Sequence, residues 1–381
     1  MANIETYLDW RGDLTFAQDP FNEVDNLILS ELVYSDFDGV VPQEGLRNSV
    51  SIQEVCKQFF QMHTEEELLS KVSSTKVAPF LMKRLVRSKR FGSMRLAAYR
   101  NEIDEESQSQ FAAVSYLLDD NTWFVCFRGT DNTIVGWKED FNMGFLTHTA
   151  GQVKAKEYLN TLFAHTAKRI RVGGHSKGGN FAVYASAFCL PRIQNKIDVI
   201  YSNDGPGFRE LVMEQSGYKA ILPKLVSIIP EDSIVGNLLL NDIEHQVIES
   251  SQSGASQHDP MSWEVLGTGF VLAEDTSKSS KNVDRTLKLW LMDLPDSKRE
   301  VFVDVLFRVL SSSGAKTTDD LSNEPLKAIS EMMKATSELD SEDQKVFKEV
   351  LLKLFNSGRE AMFGKWISTI GQNSSLTFGK R

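Results

Sequence analysis

The chain has 381 residues, a formal net charge of -10, 41% hydrophobic residues and 25% charged ones. That composition is an ordinary globular one, so disorder is excluded as a default and a sizeable core is expected. The acidic balance argues against a nucleic-acid partner, because affinity for phosphate backbones comes mainly from Lys and Arg.

The opening Met1-Ala2-Asn3-Ile4-Glu5 lacks the basic and apolar regions of a secretory signal. From about residue 20 to 90 the pattern is helical: Val24, Leu27, Ile28 and Leu32 repeat at helical spacing, as do Val55, Phe59 and Met62. Pro79 opens a further apolar-basic helix, and Lys83, Arg84, Arg87, Lys89 and Arg90 read as its solvated face. Asp36-Phe37-Asp38-Gly39 is like the start of Mg²⁺-dependent haloacid-dehalogenase-type phosphatases. It follows a helical stretch instead of an apolar strand, however, and reads as a turn.

Near residue 95 the period changes. Residues 95–102, 111–118 and 122–127 read as a strand meander, followed by a helix over 151–165. A strand at 170–172, a helix at 178–189, a strand at 197–201, a helix near 208–215 and a strand at 225–229 complete the run. Strands alternating with helices predict a mostly parallel sheet covered on both faces, with ligands beyond the carboxyl ends of its strands. A polar loop spans 249–260, and the pattern is helical again after about 280, first with Leu287, Trp290 and Leu291. Cys56, Cys126 and Cys189 lie in apolar stretches and read as small buried hydrophobes. No stretch reaches the roughly 18 apolar residues that cross a bilayer.

Chemistry concentrates in Gly173-Gly174-His175-Ser176-Lys177-Gly178-Gly179. Here Gly174-x-Ser176-x-Gly178 stands between an apolar strand and a helix, the context of a nucleophile elbow. The glycines two before and two after the serine let strand and helix approach closely. A phosphate-binding loop does not fit, since Lys177 follows Ser176 instead of a Gly-x-x-x-x-Gly frame and no Ser or Thr follows the lysine. The oxyanion of an acyl transfer needs donors. The N–H of Lys177 is one, and the loop Arg128-Gly129-Thr130-Asp131 offers Thr130 as the second.

In such a fold the order is serine, acid, histidine. His258, in a polar loop, is preferred over His245 as the base. Asp232, after the strand 225–229, is the expected acid; Asp204, in Asp204-Gly205-Pro206-Gly207, is the alternative. Histidines and cysteines nowhere occur at metal-ligand spacing, so neither metal nor cofactor is expected.

Phe127-Arg128-Gly129-Thr130, then Trp137 and Asp140, then Gly-His-Ser-x-Gly-Gly resemble the core signature of class-three lipases. Asp9-Trp10-Arg11-Gly12-Asp13, the Pro-Phe-Asn-Glu-Val-Asp run at 20–25, and Gln257-His258-Asp259-Pro260-Met261-Ser262-Trp263 resemble, more closely, a bacterial domain-of-unknown-function family related to those lipases. The resemblance covers roughly residues 1 to 270 and implies an α/β-hydrolase fold with Ser176, Asp232 and His258 as its triad. Lys177 stands where true lipases carry Leu or Met, so a strongly lipophilic pocket is not implied.

The expectation is a helical region at 1–90, an α/β-hydrolase core at 91–275 and a C-terminal helical region at 276–381. The protein would be a cytoplasmic esterase or lipase-like enzyme acting on a small-molecule or lipid ester, its oligomeric state open. The aromatic-rich segment 131–150 would wall or cover the cleft. The alternatives are a binding protein that keeps the fold without catalysis, and a phosphatase using Asp36 and Asp38.

Overall fold

The computed structural model describes residues 2–70, 74–131, 133–278, 280, 281, 295–312, 317, 334–337, 339, 341 and 343–347. Leu287, Trp290 and Leu291 of the expected C-terminal helical pattern lie outside these residues, whereas its later part, Val301, Val305 and Val309, falls within the helix Asp296–Ser311. The chain divides into two compact units, 1–131 with 135–277, and 132–134 with 278–381. In the second, the helix Asp296–Ser311 buries Phe302, Val303, Val305, Phe307 and Val309, and Phe302 stacks on Phe347 at 5.7 Å between ring centroids.

The first unit is built on an eight-stranded sheet whose strands neighbour one another in chain order. They are β1 (Val50–Ser51), β2 (Arg95–Asp104), β3 (Ser109–Leu117), β4 (Trp123–Phe127), β5 (Ile170–His175), β6 (Ile197–Asn203), β7 (Leu225–Pro230) and β8 (Gln246–Ile248). β1 to β4 pair antiparallel, and β4 to β8 pair parallel. Short links such as 118–122 allow only antiparallel neighbours, whereas each parallel pair needs a crossover. The central strand β4 is buried at all five positions, as its unbroken apolar run requires. This is the α/β architecture expected from the alternating pattern.

Helices cover both faces. Before the sheet come α1 (Ile4–Arg11), α2 (Glu23–Leu32), α3 (Ile52–Met62), α4 (Glu65–Ser70) and α5 (Leu81–Leu85). Within the sheet's crossovers lie α6 (Ile134–Asn142), α7 (Ala150–Phe163) and α8 (Lys177–Phe188). Residues 1–90 supply one of the two layers: Val24, Leu27, Ile28, Leu32 and Phe59 join Val114, Tyr116 and Phe124 in one core. On the other face α7 and α8 bring Tyr158, Leu159 and Phe181 against Phe111, Val125 and Phe127. α2 is buried on every side from Val24 to Leu32, as a helix sandwiched inside a core must be. The helix expected near 208–215 is confined to Glu210–Met213, and a second one, Ser216–Ile221, precedes β7.

Arg90 corrects the reading of the basic run as a solvated face, because α5 ends at Leu85 and Arg90 is 1% exposed. Its guanidinium forks onto Asp25, with Nε donating to Oδ1 at 2.6 Å, and it also donates to the Asp19 and Pro20 carbonyls. Asp25 accepts from the Tyr7 hydroxyl and the Asn22 N–H as well, closing the capping box of α2. One buried ion pair therefore ties α1, α2 and the entry to β2 together. Cys56, Cys126 and Cys189 are free thiols. No helix among the described residues is long and apolar enough to cross a membrane.

Removing one partner strands the other charge, which costs about 3–5 kcal/mol for a buried pair. Arg90→Met is expected to lose that much in urea unfolding. The paired change Asp25→Asn with Arg90→Met should lose clearly less, having no orphan charge.

Candidate active site

β5 ends at His175 and α8 starts at Lys177, so Ser176 alone makes the turn, at φ 58° and ψ -132°. That positive-φ conformation, outside the left-handed helical well, costs a non-glycine residue about 1–3 kcal/mol and persists only when its surroundings dictate it. They do so here through two glycines. A Cβ on Gly174 would lie 2.4 Å from the Gly178 carbonyl, and one on Gly178 would lie 2.1 Å from the Phe127 carbonyl oxygen. Only glycine lets α8 start this close to β4 and β5. The Ser176 side chain does not cap α8, and the residue is half-buried and reachable. Lys177 N–H opens α8, where no carbonyl of the helix stands before it to accept.

His258 comes from the loop after β8, at the end of the short turn Gly254–His258. Its Nδ1 lies 2.6 Å from Asp204 Oδ2, with the histidine side chain 29% exposed and the carboxylate 1%. Asp204 directly follows β6, at φ 48°. Its other oxygen accepts from the Ser233 hydroxyl and, at 3.0 Å, from the Gly236 N–H. Burial pushes the Asp204 carboxyl up, but the bonds from His258 and Ser233 outweigh it and hold the group below its ordinary value. A carboxylate held on Nδ1 leaves Nε2 of His258 for chemistry.

The expected acid, Asp232, does not meet His258. Its carboxylate accepts from the Ser277 hydroxyl and from the Gly254 N–H at 2.8 Å, and its own N–H donates to Gln257 Oε1. The turn after β7 thus spends Asp232 on shaping the loop that carries His258. His245 bonds through Nδ1 to the Ser227 hydroxyl of β7, at 2.8 Å.

Across from the elbow, Gly129 packs against it so tightly that a Cβ there would lie 2.6 Å from the His175 carbonyl oxygen and 2.2 Å from the Tyr34 hydroxyl. Next to it, Thr130 donates its hydroxyl to Asp140 Oδ2 at 2.6 Å. Burial pushes the Asp140 carboxyl up to about 6, against the pull of the Lys177 charge and the Thr130 bond. The segment expected to wall the cleft forms α6, which holds Glu139 and Asp140, and the buried Met143 and Phe145 follow it.

Tyr34, just past α2, had no sequence signal. Its hydroxyl lies 3.1 Å from His175 Nδ1, while His175 Nε2 lies 2.9 Å from the His258 carbonyl. A carbonyl only accepts, so Nε2 carries the proton and Nδ1 accepts from Tyr34. The His175 and His258 rings stand 4.5 Å apart. Asn203, equally silent in the sequence, donates to the Gly174 carbonyl and to Ser30 of α2. Asp36 and Asp38 lie in the turn after α2, where Asp36 accepts from the Asp38 N–H. Among the described residues no three His, Cys, Asp or Glu side chains group as a metal site.

Burial, aided by the His258 charge and opposed by Asp204, pushes His175 down to about 3. Below the ordinary value of about 6.5 the unfolded chain binds a proton that the native state refuses. Stability from this group is therefore full above about 6.5 and is lost as pH falls toward 3. In His175→Gln, which retains a donor for the His258 carbonyl, the fall in unfolding free energy between pH 6 and 4 should be shallower by about 1.4 kcal/mol per pH unit.

No curated protein matches the sequence. The model of the Mbeg1-like family, a lipase-like family, matches residues 85–308, more than half of the chain, and the chain belongs to that family.

Proposed function

We propose that the chain is a serine hydrolase of the α/β-hydrolase type, an esterase or lipase-like enzyme that cleaves carboxyl esters through an acyl-enzyme. The observation that carries this reading is the Asp204–His258 pair at 2.6 Å, beside an elbow that holds Ser176 at φ 58°. Its membership of a lipase-like family agrees.

In this reading His258 Nε2 takes the Ser176 proton as the hydroxyl attacks the ester carbonyl carbon. Asp204 fixes the Nδ1–H tautomer and stabilises the imidazolium that forms. The N–H groups of Lys177 and Thr130 receive the negative charge on the former carbonyl oxygen. His258 then returns its proton to the leaving alkoxide, and a water activated by the same imidazole frees the acyl group. Gly174 and Gly178 act only by allowing the turn. We assign the orienting role to Asp204 in place of Asp232 because its carboxylate is the one bonded to Nδ1. Trp137 and Phe141 on α6 are assigned to the wall that meets the acyl chain.

Fluorophosphonate labelling read by intact mass tests the assignment. One adduct is expected on the wild type and none on Ser176→Ala. His258→Ala and Asp204→Asn should slow ester hydrolysis by about 10³-fold or more, as in other triads, while Asp232→Asn should stay within about threefold. A folded wild type that neither labels nor turns over any ester would instead favour a binding role for the cleft. Trp137→Ala should shift preference among p-nitrophenyl esters of different chain length; an unchanged profile removes α6 from the acyl wall.

A further inference from the structure

The two residues assigned to the oxyanion hole are both held by one helix. Asp140 accepts the Thr130 hydroxyl, and its neighbour on α6, Glu139, accepts the Lys177 ammonium at 3.1 Å. The Lys177 and Glu139 side chains are both fully buried. Gln110 Oε1 of β3 is the second acceptor for the ammonium, at 2.9 Å. Glu139 uses its remaining capacity on the Gln110 N–H at 3.0 Å and on the Gly151 N–H of α7 at 2.7 Å. A single carboxylate therefore joins β3, the start of α7 and the residue that follows the nucleophile.

Stability alone does not account for this arrangement. Two charges taken out of water gain little over well-packed apolar side chains of the same volume. The pocket could accept such a side chain, since the Lys177 ammonium lies 5.6 Å from the centre of the buried Phe181 ring. A positional role accounts for it better. An ammonium gripped by two fixed acceptors pins its stem, and the stem leaves the backbone next to the N–H that must meet the oxyanion. Donors to a developing charge act best when they are in place beforehand, because a misplacement of about 1 Å can cost on the order of 10²-fold.

We propose that Glu139 is a positioning residue for the oxyanion hole. Through the Lys177 ammonium it fixes the Lys177 N–H, as Asp140 fixes Thr130, so that α6 sets both donors in register. The inference rests on the serine-hydrolase reading of Ser176 and adds to it the origin of the hole's geometry.

The test uses the full chain with the double variant Glu139→Gln/Lys177→Met, which leaves no unpaired buried charge, and with Gln110→Leu, which removes one acceptor and keeps the pair. Three quantities are read: kcat and KM for p-nitrophenyl butyrate, the inhibition constant of a phenylboronic acid that forms a tetrahedral adduct on the serine, and the rate of fluorophosphonate labelling. The double variant is expected to lose about 10- to 100-fold in kcat with KM within about threefold, less than the 10²–10³ that follows loss of a whole donor. Boronate affinity and labelling rate should fall by a similar factor. Gln110→Leu should show the same pattern at about 3- to 10-fold. If either variant, once folded, keeps wild-type kcat and boronate affinity, the pair only fills space and the inference is overturned. Equal losses of kcat and of thermal stability with unchanged boronate affinity overturn it too. Failure of the wild type to label would instead refute the hydrolase reading itself.

Discussion

α8 begins against β4 so closely that a methyl group on Gly178 would sit 2.1 Å from the Phe127 carbonyl oxygen. With helix and strand that near, the chain has one residue in which to turn from β5 into α8. That residue is Ser176, driven into a backbone region side chains rarely adopt. The turn keeps the Ser176 side chain from capping α8 and leaves the Lys177 amide, at the start of the helix, without a carbonyl from its own helix. The parallel register of β4 to β7 then brings the neighbouring strand ends to the same edge. His175 faces Asn203 in that register, and Asp204 is the next residue of the chain.

A second consequence is that the site draws on both helical layers. On the side of α7 and α8, charge is used internally, with Glu139 and Asp140 answering Lys177 and Thr130. On the opposite side, α2 is followed by Tyr34, whose hydroxyl bonds His175, and His175 in turn bonds the His258 carbonyl. The loop that carries His258 is thus tied to the strand that ends before Ser176 and, through Tyr34, to the N-terminal layer. The Asp25–Arg90 pair holds that layer together. Residues 1–90 are in this sense part of the support of the proposed site, although none of them belongs to the proposed triad.

The local features were legible in the sequence. Gly174-x-Ser176-x-Gly178 lies within one turn, so spacing alone announced it, and the apolar runs of β4 to β7 announced the sheet. What depended on distant residues was not legible. Tyr34 and His175 are 141 positions apart, and no period joins them. Arg90 looked like one more surface cation, because its partner Asp25 lies 65 residues earlier. The choice between Asp204 and Asp232 turned on where each strand end leads, which an apolar run does not encode. Asp204 stands at a bend directly after β6, and that bend aims it at His258. Its tight fit is set by Gly205, where a Cβ would lie 2.9 Å from the Ser176 carbonyl oxygen, and this too is a contact across the sheet.

The central claim is that Asp204, bonded to Nδ1, makes His258 a base for Ser176. Proton NMR of the imidazole tests it directly, because an Nδ1–H shared with a buried carboxylate resonates far downfield of other amide and ring protons. The account predicts one such resonance in the wild type, kept in Asp232→Asn and lost in Asp204→Asn and His258→Ala. A downfield proton that survives Asp204→Asn, or vanishes in Asp232→Asn, would contradict it.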